Sequence, residues 1–332
     1  LRAAGLLGAT ESLPEEPRDL SRAHGVWAAR LPDGRRVVVK SAALTGPAGP
    51  DDAAGSLGSE LFVHRMAHWC PSLRDALPAP TVVDERAGLL IVADVGAGHP
   101  ASLALLADSL GDDPAFFRML GARIGAVHRA TARLPLPRAT APLVLQVLRE
   151  RAADPHRGAG ASLLAAPTRE VVASLCARRD MLAAAARLRA PAGTSLVHHD
   201  LKWDNIAVAP GPAPVIVDWE LAGAGDPAWD LGCLVAEHLL RDASAGAEVS
   251  AAGRALLRGY GEAARVSARA AGLFAERVSL AAVLRVAQFA LEVAERGTDG
   301  DLERARALAA RAVGLREHAA DLTREVGSCL MP

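Results

Sequence analysis

The chain has 332 residues, of which 51% are hydrophobic and 23% are charged, and its formal net charge is −1. This composition argues against intrinsic disorder, and the balanced charge argues against a strongly basic nucleic-acid-binding protein. The sequence contains no run of about 18 apolar residues, so no membrane span is predicted. The first residues lack the basic and then apolar layout of a secretory signal peptide. The four cysteines are scattered without a C-x-x-C pair, which predicts reduced thiols and a cytoplasmic location.

A β-hairpin is the first element that the sequence predicts. It covers residues 26–43, turns at the Asp-Gly pair of residues 33–34, and contains a β-branched run at residues 37–39. Residues 44–56 are rich in Gly, Pro and Asp, so we predict a loop there. Apolar residues then recur at helical spacing over residues 59–69, which predicts a helix beginning at the Ser-Glu pair.

A change of character divides the chain near residue 95. Two short strands are predicted at residues 81–84 and 88–94, before a glycine-rich break at residues 96–98. Beyond it, long helices are predicted at residues 114–134, 168–188, 227–241, 251–263, 268–296 and 301–326. Three short strands are predicted within this helical part, at residues 195–197, 206–208 and 215–217. Each strand lies beside polar residues, which is a common setting for an active site.

Two residue types are almost missing from the chain. Only two of its 37 basic residues are lysines, Lys40 and Lys202, and Asn205 is its only asparagine. We interpret this as codon pressure in a GC-rich genome, with chance as the alternative. A compact ammonium group and a neutral amide differ physically from the residues that would replace them. The three surviving residues are therefore candidates for functional positions.

A polar cluster at residues 197–206 reads Val-His-His-Asp-Leu-Lys-Trp-Asp-Asn-Ile, and Asp218 follows thirteen residues after Asn205. In the spacing of His198, Asp200, Asn205 and Asp218, the chain resembles the phosphotransferases of the protein-kinase-like fold, most closely the aminoglycoside phosphotransferase and choline kinase family. The resemblance implies that Asp200 is the base on the acceptor side. It also implies that Asn205 and Asp218 bind Mg²⁺, which prefers oxygen ligands.

Further residues match the same family. Lys40 matches its third-strand lysine and Glu60 the helix acid paired with that lysine, which implies that both serve nucleotide binding. Glu60 also has a plainer interpretation, as an acid favoured at a helix start. Asp230 is either such an acid or the residue that holds the backbone of the catalytic loop, the segment that contains His198 and Asp200. His198 is interpreted as a loop-positioning residue rather than a proton-transfer group, because Asp200 already fills the role of the base.

Lys202 departs from the pattern usual in small-molecule kinases. Its place two residues after Asp200 is similar to Ser/Thr protein kinases, in which that lysine meets the transferring phosphoryl group. We therefore predict that Lys202 is a catalytic cation. The motifs around it also look like those of kinases that phosphorylate Ser or Thr of a precursor peptide in lanthipeptide or thioamitide biosynthesis. In those pathways a separate lyase then eliminates the phosphate.

The nucleotide-binding elements are less distinct in the sequence. A turn that covers the phosphates is predicted at residues 20–27, where backbone N–H groups, Gly25 and the Ser21 hydroxyl would act. Adenine is predicted to lie against the connection formed by Ala93, Asp94 and Val95.

These observations together predict an α+β, bilobal protein-kinase-like fold. Residues 1–95 are expected to form a nucleotide-binding lobe with a small antiparallel sheet and one helix. Residues 96–332 are expected to form a helical lobe with the catalytic loop, the metal loop and the acceptor site. The predicted cofactors are ATP and Mg²⁺, and the predicted partners are a hydroxyl acceptor and a lyase, with neither nucleic acid nor membrane.

The predicted function is transfer of phosphate to a hydroxyl of a precursor peptide or a small natural product. One alternative is an aminoglycoside or macrolide phosphotransferase. A polycationic substrate calls for an acidic site, whereas the chain from Arg241 onward has 12 acidic residues and 13 arginines. The second alternative is a pseudokinase-like module that binds a peptide or partner. Loss of a key residue would favour it, but Lys40, Asp200, Asn205 and Asp218 are all present.

Overall fold

The computed structural model describes residues 1–2, 4–8, 10–20, 24–45, 50–95, 113–153, 166–188, 194–208, 213–241 and 248–331. Its strands are β1 (Arg18–Asp19), β2 (His24–Arg30), β3 (Arg36–Thr45), β4 (Pro80–Asp84), β5 (Leu89–Ala93), β6 (Ser195–Val197), β7 (Ile206–Val208), β8 (Pro214–Ile216) and β9 (Gly223–Gly225). Its α-helices are α1 (Pro50–Met66), α2 (Pro71–Ala76), α3 (Pro114–Thr131), α4 (Leu143–Ala153), α5 (Ala166–Cys176), α6 (Arg179–Arg187), α7 (Pro227–Arg241), α8 (Ala251–Ala264), α9 (Ala268–Arg296), α10 (Asp299–Glu317) and α11 (Ala319–Leu330). Two 3₁₀ turns, Trp203–Asn205 and Trp219–Leu221, complete the described elements.

Two compact units make up the chain. The first comprises Leu1–Gly111 and Trp203–Ala222, and the second comprises Asp112–Lys202 and Gly223–Pro332. The segment that carries Asn205 and Asp218 therefore clusters with the sheet-containing unit. The glycine-rich break predicted at residues 96–98 lies outside the described residues, and the division after residue 95 stays a prediction.

An antiparallel sheet of five strands, in the order β1-β2-β3-β5-β4, forms the centre of the first unit. The predicted hairpin is its β2–β3 pair, in which Ala29 lies opposite Val37. Gly34 adopts a φ of 86° in the connecting turn, a value that suits glycine. The fold-class prediction, a small antiparallel sheet with a mostly helical remainder, is confirmed.

The alternation of side chains along β3 and β5 determines where Lys40 points. Leu90 and Val92 of β5 pack against Leu57 and Leu61 of α1. Lys40 lies opposite Leu90 in the register of the sheet. Because directly opposed residues in a sheet share a face, Lys40 lies on the face that α1 covers.

Helix α1 begins at Pro50, so the predicted loop over residues 44–56 is wrong in its second half. Proline suits the first position of a helix, where its missing N–H would have no intrahelical partner. Asp51 and Asp52 follow it in the sequence, and acidic residue types are common in the first turn of a helix. The same residues that are typical of loops therefore begin a helix here. Glu60 lies well inside α1, which excludes its interpretation as a helix-start acid.

Helices dominate the second unit, together with the short antiparallel pair β6–β9. Helices α7 and α9 have the predicted bounds, but the helix predicted over residues 168–188 is divided into α5 and α6. His318 likewise separates α10 from α11. A break of one or two residues leaves the apolar spacing nearly unchanged, so periodicity does not reveal it. Among the described residues, no helix combines the length and apolar character needed to cross a membrane.

Helices α3 and α8 pack very closely within this unit. A Cβ atom at Gly121 would lie 1.9 Å from the carbonyl oxygen of Leu256, and one at Gly259 would lie 1.9 Å from that of Arg118. Such contacts are far shorter than any real carbon–oxygen contact, so these two positions require glycine. The packing fixes α3, which carries the buried His128.

Candidate active site

Lys40 is the centre of a charged group in the first unit. Its Nζ atom lies 2.7 Å from Oε2 of Glu60 on α1 and 2.7 Å from Oδ1 of Asp218. The Glu60 side chain is almost fully buried, whereas 40% of the Asp218 side chain is exposed. Lys40 therefore joins a buried carboxylate to one that solvent can reach.

The electrostatics of this group keep Lys40 charged. Burial alone lowers the pKa of a lysine, but the carboxylates of Glu60 and Asp218 outweigh it, and the pKa of Lys40 is raised above its ordinary value. Burial raises the pKa of Glu60, while the Lys40 ammonium opposes that effect. Two carboxylates thus share one ammonium group. Lys40, Glu60 and Asp218 together therefore attract cations.

Asn205 and Asp218, the two predicted metal ligands, lie on neighbouring segments of the same unit. The backbone N–H of Val217 donates to the carbonyl oxygen of Asn205 at 2.9 Å, directly before Asp218. Asp218 has a left-handed backbone with a φ of 65°, a strained conformation often found at functional sites. An amide and a carboxylate are oxygen donors of the kind that Mg²⁺ takes when phosphates and water complete its shell. The residues present therefore fit a magnesium–nucleotide complex.

A second charged group surrounds Asp200 in the other unit. Nζ of Lys202 lies 2.5 Å from Oδ2 of Asp200, and a terminal nitrogen of Arg285 lies 2.9 Å from Oδ1. Both carboxylate oxygens are thus in contact with a cation. Arg285 belongs to helix α9, and its second terminal nitrogen contacts Glu292 at 3.0 Å.

Asp230 holds the backbone around the predicted catalytic loop. It is buried in the first turn of α7, where Oδ2 accepts from the N–H of His198 at 2.8 Å and Oδ1 from that of His199 at 3.0 Å. Oδ2 also lies 3.2 Å from Nε2 of His128. Burial acts to raise the pKa of Asp230, but its hydrogen bond and charge interaction with His128, helped by His198, hold the pKa below its ordinary value.

The two histidines before Asp200 have different surroundings. His198 is fully buried, and its Nδ1 accepts from the backbone N–H of Asp200 at 3.3 Å. His199 has a left-handed φ of 71°, and its carbonyl oxygen accepts from the indole N–H of Trp229 at 2.9 Å. These bonds hold the backbone on both sides of the predicted base.

The predicted phosphate-covering turn is only partly described. Gly25 lies in β2, where the register with β3 is irregular, and Leu20 donates its backbone N–H to Val26. Ser21 lies outside the described residues. The turn stays a prediction.

The predicted adenine connection follows β5 directly. The N–H groups of Ala93 and Asp94 donate to the carbonyl oxygens of Ala79 and Arg36, and the Asp94 carboxylate pairs with the Arg36 side chain. An adenine contact at Val95 or at the carbonyl oxygens of the segment stays a prediction.

The structure gathers the chemically distinctive residues into two groups. The group of the first unit contains Lys40, Glu60, Asn205 and Asp218, and the group of the second contains Asp200, Lys202, His198 and Asp230. Sequence reasoning missed Arg285 and the contact between His128 and Asp230. Arg285, Gln288 and Glu292 are polar at positions i, i+3 and i+7 of an otherwise apolar stretch, so their shared helix face was a usable signal.

Comparisons with known proteins complete the description. A sequence profile of the phosphotransferase enzyme family matches residues 19–273, whereas no curated protein matches the sequence. A choline/ethanolamine kinase family protein from Mesorhizobium loti is 18% identical, with a TM-score of 0.60 over 98% of this chain and 97% of its own. An amicoumacin kinase in complex with AMP-PNP and Ca²⁺ is 14% identical, with a TM-score of 0.62 over 96% and 92%. An aminoglycoside phosphotransferase from Alicyclobacillus acidocaldarius is 17% identical, with a TM-score of 0.53 over 96% and 98%. These likenesses confirm the predicted kinase-like fold.

Proposed function

Because the chain belongs to the phosphotransferase enzyme family, we propose that it transfers the terminal phosphoryl group of ATP to a hydroxyl group with the help of Mg²⁺. One observation carries the proposal: Nζ of Lys40 lies 2.7 Å from both Glu60 and Asp218. A lysine held between a helix carboxylate and a carboxylate suited to a metal is the arrangement that phosphoryl transfer from a nucleotide needs. The amicoumacin kinase of similar fold, which holds AMP-PNP and Ca²⁺, supports a nucleotide and a divalent cation.

Lys40 is the cation for the nucleotide phosphates. An ammonium group has three N–H donors. Two of them contact Glu60 and Asp218, and within the described part of the chain the third is left for a phosphate oxygen. Glu60 is buried and fixes the direction of the lysine stem. Asn205 and Asp218 provide the oxygen ligands for Mg²⁺, which supplies charge neutralisation to the phosphates when it is bound.

Asp200 is the base for the acceptor. It accepts the hydrogen bond of the acceptor hydroxyl and takes its proton while the hydroxyl oxygen bonds to the terminal phosphorus. The bond from that phosphorus to the bridging oxygen breaks, and ADP leaves with the electron pair. Lys202, which contacts Asp200, donates to the oxygens of the phosphoryl group during transfer.

The acceptor that we propose is a Ser or Thr hydroxyl of a precursor peptide. The cations Lys202 and Arg285 both contact Asp200, and they disfavour a substrate that carries several ammonium groups. They are compatible with a neutral or acidic peptide, and the Asp-x-Lys arrangement supports that class. A small neutral natural product has the same charge compatibility and is the alternative outcome of the experiment. A lyase as a partner stays a prediction from the sequence.

The proposal is tested by mass spectrometry of reaction mixtures. The purified protein is incubated with ATP and Mg²⁺ in the presence of Ser/Thr-rich peptides, choline-like alcohols, a macrolide or an aminoglycoside, and each acceptor is examined for added phosphate. D200N is the matched control, because it keeps the shape of the side chain but removes the base. We expect D200N to bind ATP and to lose most transfer.

Each outcome separates one alternative. Phosphate on the aminoglycoside alone would contradict the peptide proposal and leave the phosphotransferase activity standing. ATP binding without transfer to any acceptor or to water would favour the pseudokinase-like module. Wild-type turnover in D200N would remove Asp200 from the role of the base.

A further inference from the structure

Arg285 lies behind the proposed base, on the long helix α9. One of its terminal nitrogens contacts Oδ1 of Asp200 at 2.9 Å, and the other contacts Oε1 of Glu292 at 3.0 Å. We propose that Arg285 is the positioning residue of the reaction: it holds Oδ1 of Asp200 and thereby presents Oδ2 to the acceptor hydroxyl. This inference rests on the proposed function and adds a residue that the motif does not contain.

The surroundings of the guanidinium group fix its plane. The side chain of Arg285 is only 2% exposed, and its central carbon lies 4.2 Å from the centre of the Phe289 ring. Its Nε has no hydrogen-bond partner among the described residues. The two terminal nitrogens therefore carry the polar contacts, and a planar fork stacked on a ring directs each of them at one carboxylate.

Glu292 has a second hydrogen-bond partner, Gln288, at the same oxygen. The amide nitrogen of Gln288 donates to its Oε1 at 3.2 Å, and the amide oxygen of Gln288 accepts from the backbone N–H of Val144 at 2.8 Å. A continuous series of hydrogen bonds thus runs from the start of α4 through Gln288, Glu292 and Arg285 to Asp200. Such a supporting series is what holds a reacting side chain to within a fraction of an ångström.

The two oxygens of Asp200 differ in what holds them. Oδ1 contacts Arg285, which is buried, whereas Oδ2 contacts Lys202, whose side chain is 26% exposed. A lysine on a flexible, partly solvated stem exchanges partners more easily than a stacked, buried guanidinium group. When Lys202 moves to a phosphoryl oxygen, Oδ2 becomes available to the acceptor hydroxyl while Oδ1 stays fixed.

A purely structural role is the competing explanation. Arg285 is itself buried and pairs with two partly buried carboxylates, so its loss would destabilise the fold whatever it does for catalysis. Arg277 offers a matched comparison on the same helix. It is also buried, and it pairs with Asp226 at 2.7 Å and with the carbonyl oxygen of Arg187 at 2.8 Å. R277M therefore reports the cost of losing a buried arginine alone.

The test measures phosphate release from Mg·ATP with water as the acceptor, because water is present whatever the natural acceptor is. We expect R285M to lower kcat by about 10- to 100-fold, since misplacement of a reacting group costs that much. The KM for ATP is expected to stay within about twofold, because the contact acts on the acceptor side. R285K is expected to recover part of the rate, since an ammonium group reaches Oδ1 without reaching Glu292 as well.

A double-mutant cycle with D200N decides between the two roles. If Arg285 acts through Asp200, adding R285M to D200N causes no further loss of kcat. R277M is expected to lower the melting temperature while keeping kcat. An equal loss of kcat from R285M in both backgrounds, or a loss of stability with unchanged kcat, would overturn the inference.

If R285M does not fold, E292A keeps the arginine but removes the acceptor of one of its two terminal nitrogens, and we expect a several-fold fall in kcat that vanishes in the D200N background. Unchanged kcat in E292A would then overturn the inference. If the wild-type protein neither releases nor transfers phosphate, the proposed function fails and this inference fails with it. If the wild-type protein is active, the proposed function stands, and the kinetics of the variants test the role of Arg285 alone.

Discussion

Nζ of Lys40 lies 2.7 Å from Oδ1 of Asp218, although 178 residues separate them along the chain. The contact joins the sheet to the segment that carries the proposed metal ligands, within one compact unit. Lys40 thereby neutralises the carboxylate of Asp218, which we propose as a ligand of Mg²⁺. Removal of the lysine would therefore leave Glu60 and Asp218 facing each other without a counter-charge.

The first prediction concerns Lys40 itself. K40A is expected to raise the KM for ATP and to lower kcat, because the ammonium group contacts phosphate in both the ground state and the transition state. Steady-state kinetics with varied ATP provide the measurement. An unchanged KM together with an unchanged rate would place the phosphates elsewhere. A loss of melting temperature is also expected, since two buried or half-buried carboxylates lose their shared cation.

The proposed metal ligands give the second prediction. N205A and D218A are each expected to weaken Mg²⁺-dependent ATP binding and to lower the rate, because each removes one oxygen ligand from the ion. Calorimetric titration with ATP at several Mg²⁺ concentrations measures the effect, and high Mg²⁺ is expected to restore part of it. Binding that is unchanged in both variants and indifferent to Mg²⁺ would show that the metal site lies elsewhere.

Much of the fold was predictable because its elements follow simple periodicity. The hairpin of β2 and β3 and helices α7 and α9 were predicted to within a few residues at each end, and the family match confirms the predicted enzyme class, a phosphotransferase. Helix α4 was missed, since it is short and follows a proline-rich stretch. The start of α1 was missed because Pro50 and its two acidic neighbours suit a loop and a helix start equally well.

The site was predictable only where chemistry leaves a spacing in the sequence. Asp200, Asn205 and Asp218 share a short motif, whereas Arg285 meets Asp200 from a helix 85 residues later. The polar face of α9 sets Arg285 apart, but it does not identify Asp200 as the partner, because that contact depends on how α9 packs in its unit. The contact of His128 with Asp230, 102 residues later, was not predicted for the same reason. Long-range partners of a motif are determined by packing, not by spacing.

The third prediction tests Asp230 as the holder of the catalytic loop. In D230N, one amide oxygen must replace two carboxylate oxygens, and the amide NH₂ meets an N–H donor of His198 or His199. We expect a loss of about 3 kcal/mol in the free energy of unfolding, the cost of a broken buried charge network. A fall in kcat larger than the change in the KM for ATP is also expected. Urea unfolding and steady-state kinetics measure the two effects, and a fully active, equally stable variant would contradict the assignment.

The pH dependence of that loss has a definite sign. The pKa of Asp230 is lowered in the folded protein, so its contribution to stability is fully present above the unfolded pKa of about 4. The contribution is lost as the pH falls through the folded pKa. The difference in stability between wild type and D230N is therefore expected to be constant near neutral pH and to shrink below about pH 4.

The fourth prediction concerns His64, which lies on α1 within the first unit. Its ring is 1% exposed, and neither ring nitrogen has a hydrogen-bond partner among the described residues. Burial, helped by the charge of Lys40, lowers the pKa of His64 to about 4 from an ordinary 6.5. Between these values the unfolded chain binds a proton that the folded protein does not, so the free energy of unfolding decreases by about 3 kcal/mol in total as the pH is lowered from about 6.5 to about 4.

H64L removes the imidazole that binds this proton in the unfolded chain. We therefore expect the free energy of unfolding of H64L to depend less on pH between about pH 6.5 and pH 4. At neutral pH the variant is expected to be as stable as the wild type or more stable, because a buried, unpartnered polar ring is replaced by an apolar one. The exposed His68 gives the matched control, and H68Q is expected to keep the wild-type slope. Urea unfolding at a series of pH values measures both, and equal slopes in H64L and the wild type would contradict the prediction.

The last prediction concerns Lys40 and Lys202, the two lysines of an arginine-rich chain. Lys202 contacts Oδ2 of Asp200 at 2.5 Å, and we expect K202A to lower kcat with little change in the KM for ATP, because its phosphoryl contact is made in the transition state. K202R and K40R are the decisive controls. Lys40 lies between two carboxylates and Lys202 contacts one. A planar fork on a different stem cannot replace a compact point charge in such contacts, so both arginine variants are expected to be impaired. Full activity in both would mean that lysine survives at these positions by chance, even though the chain remains a phosphotransferase.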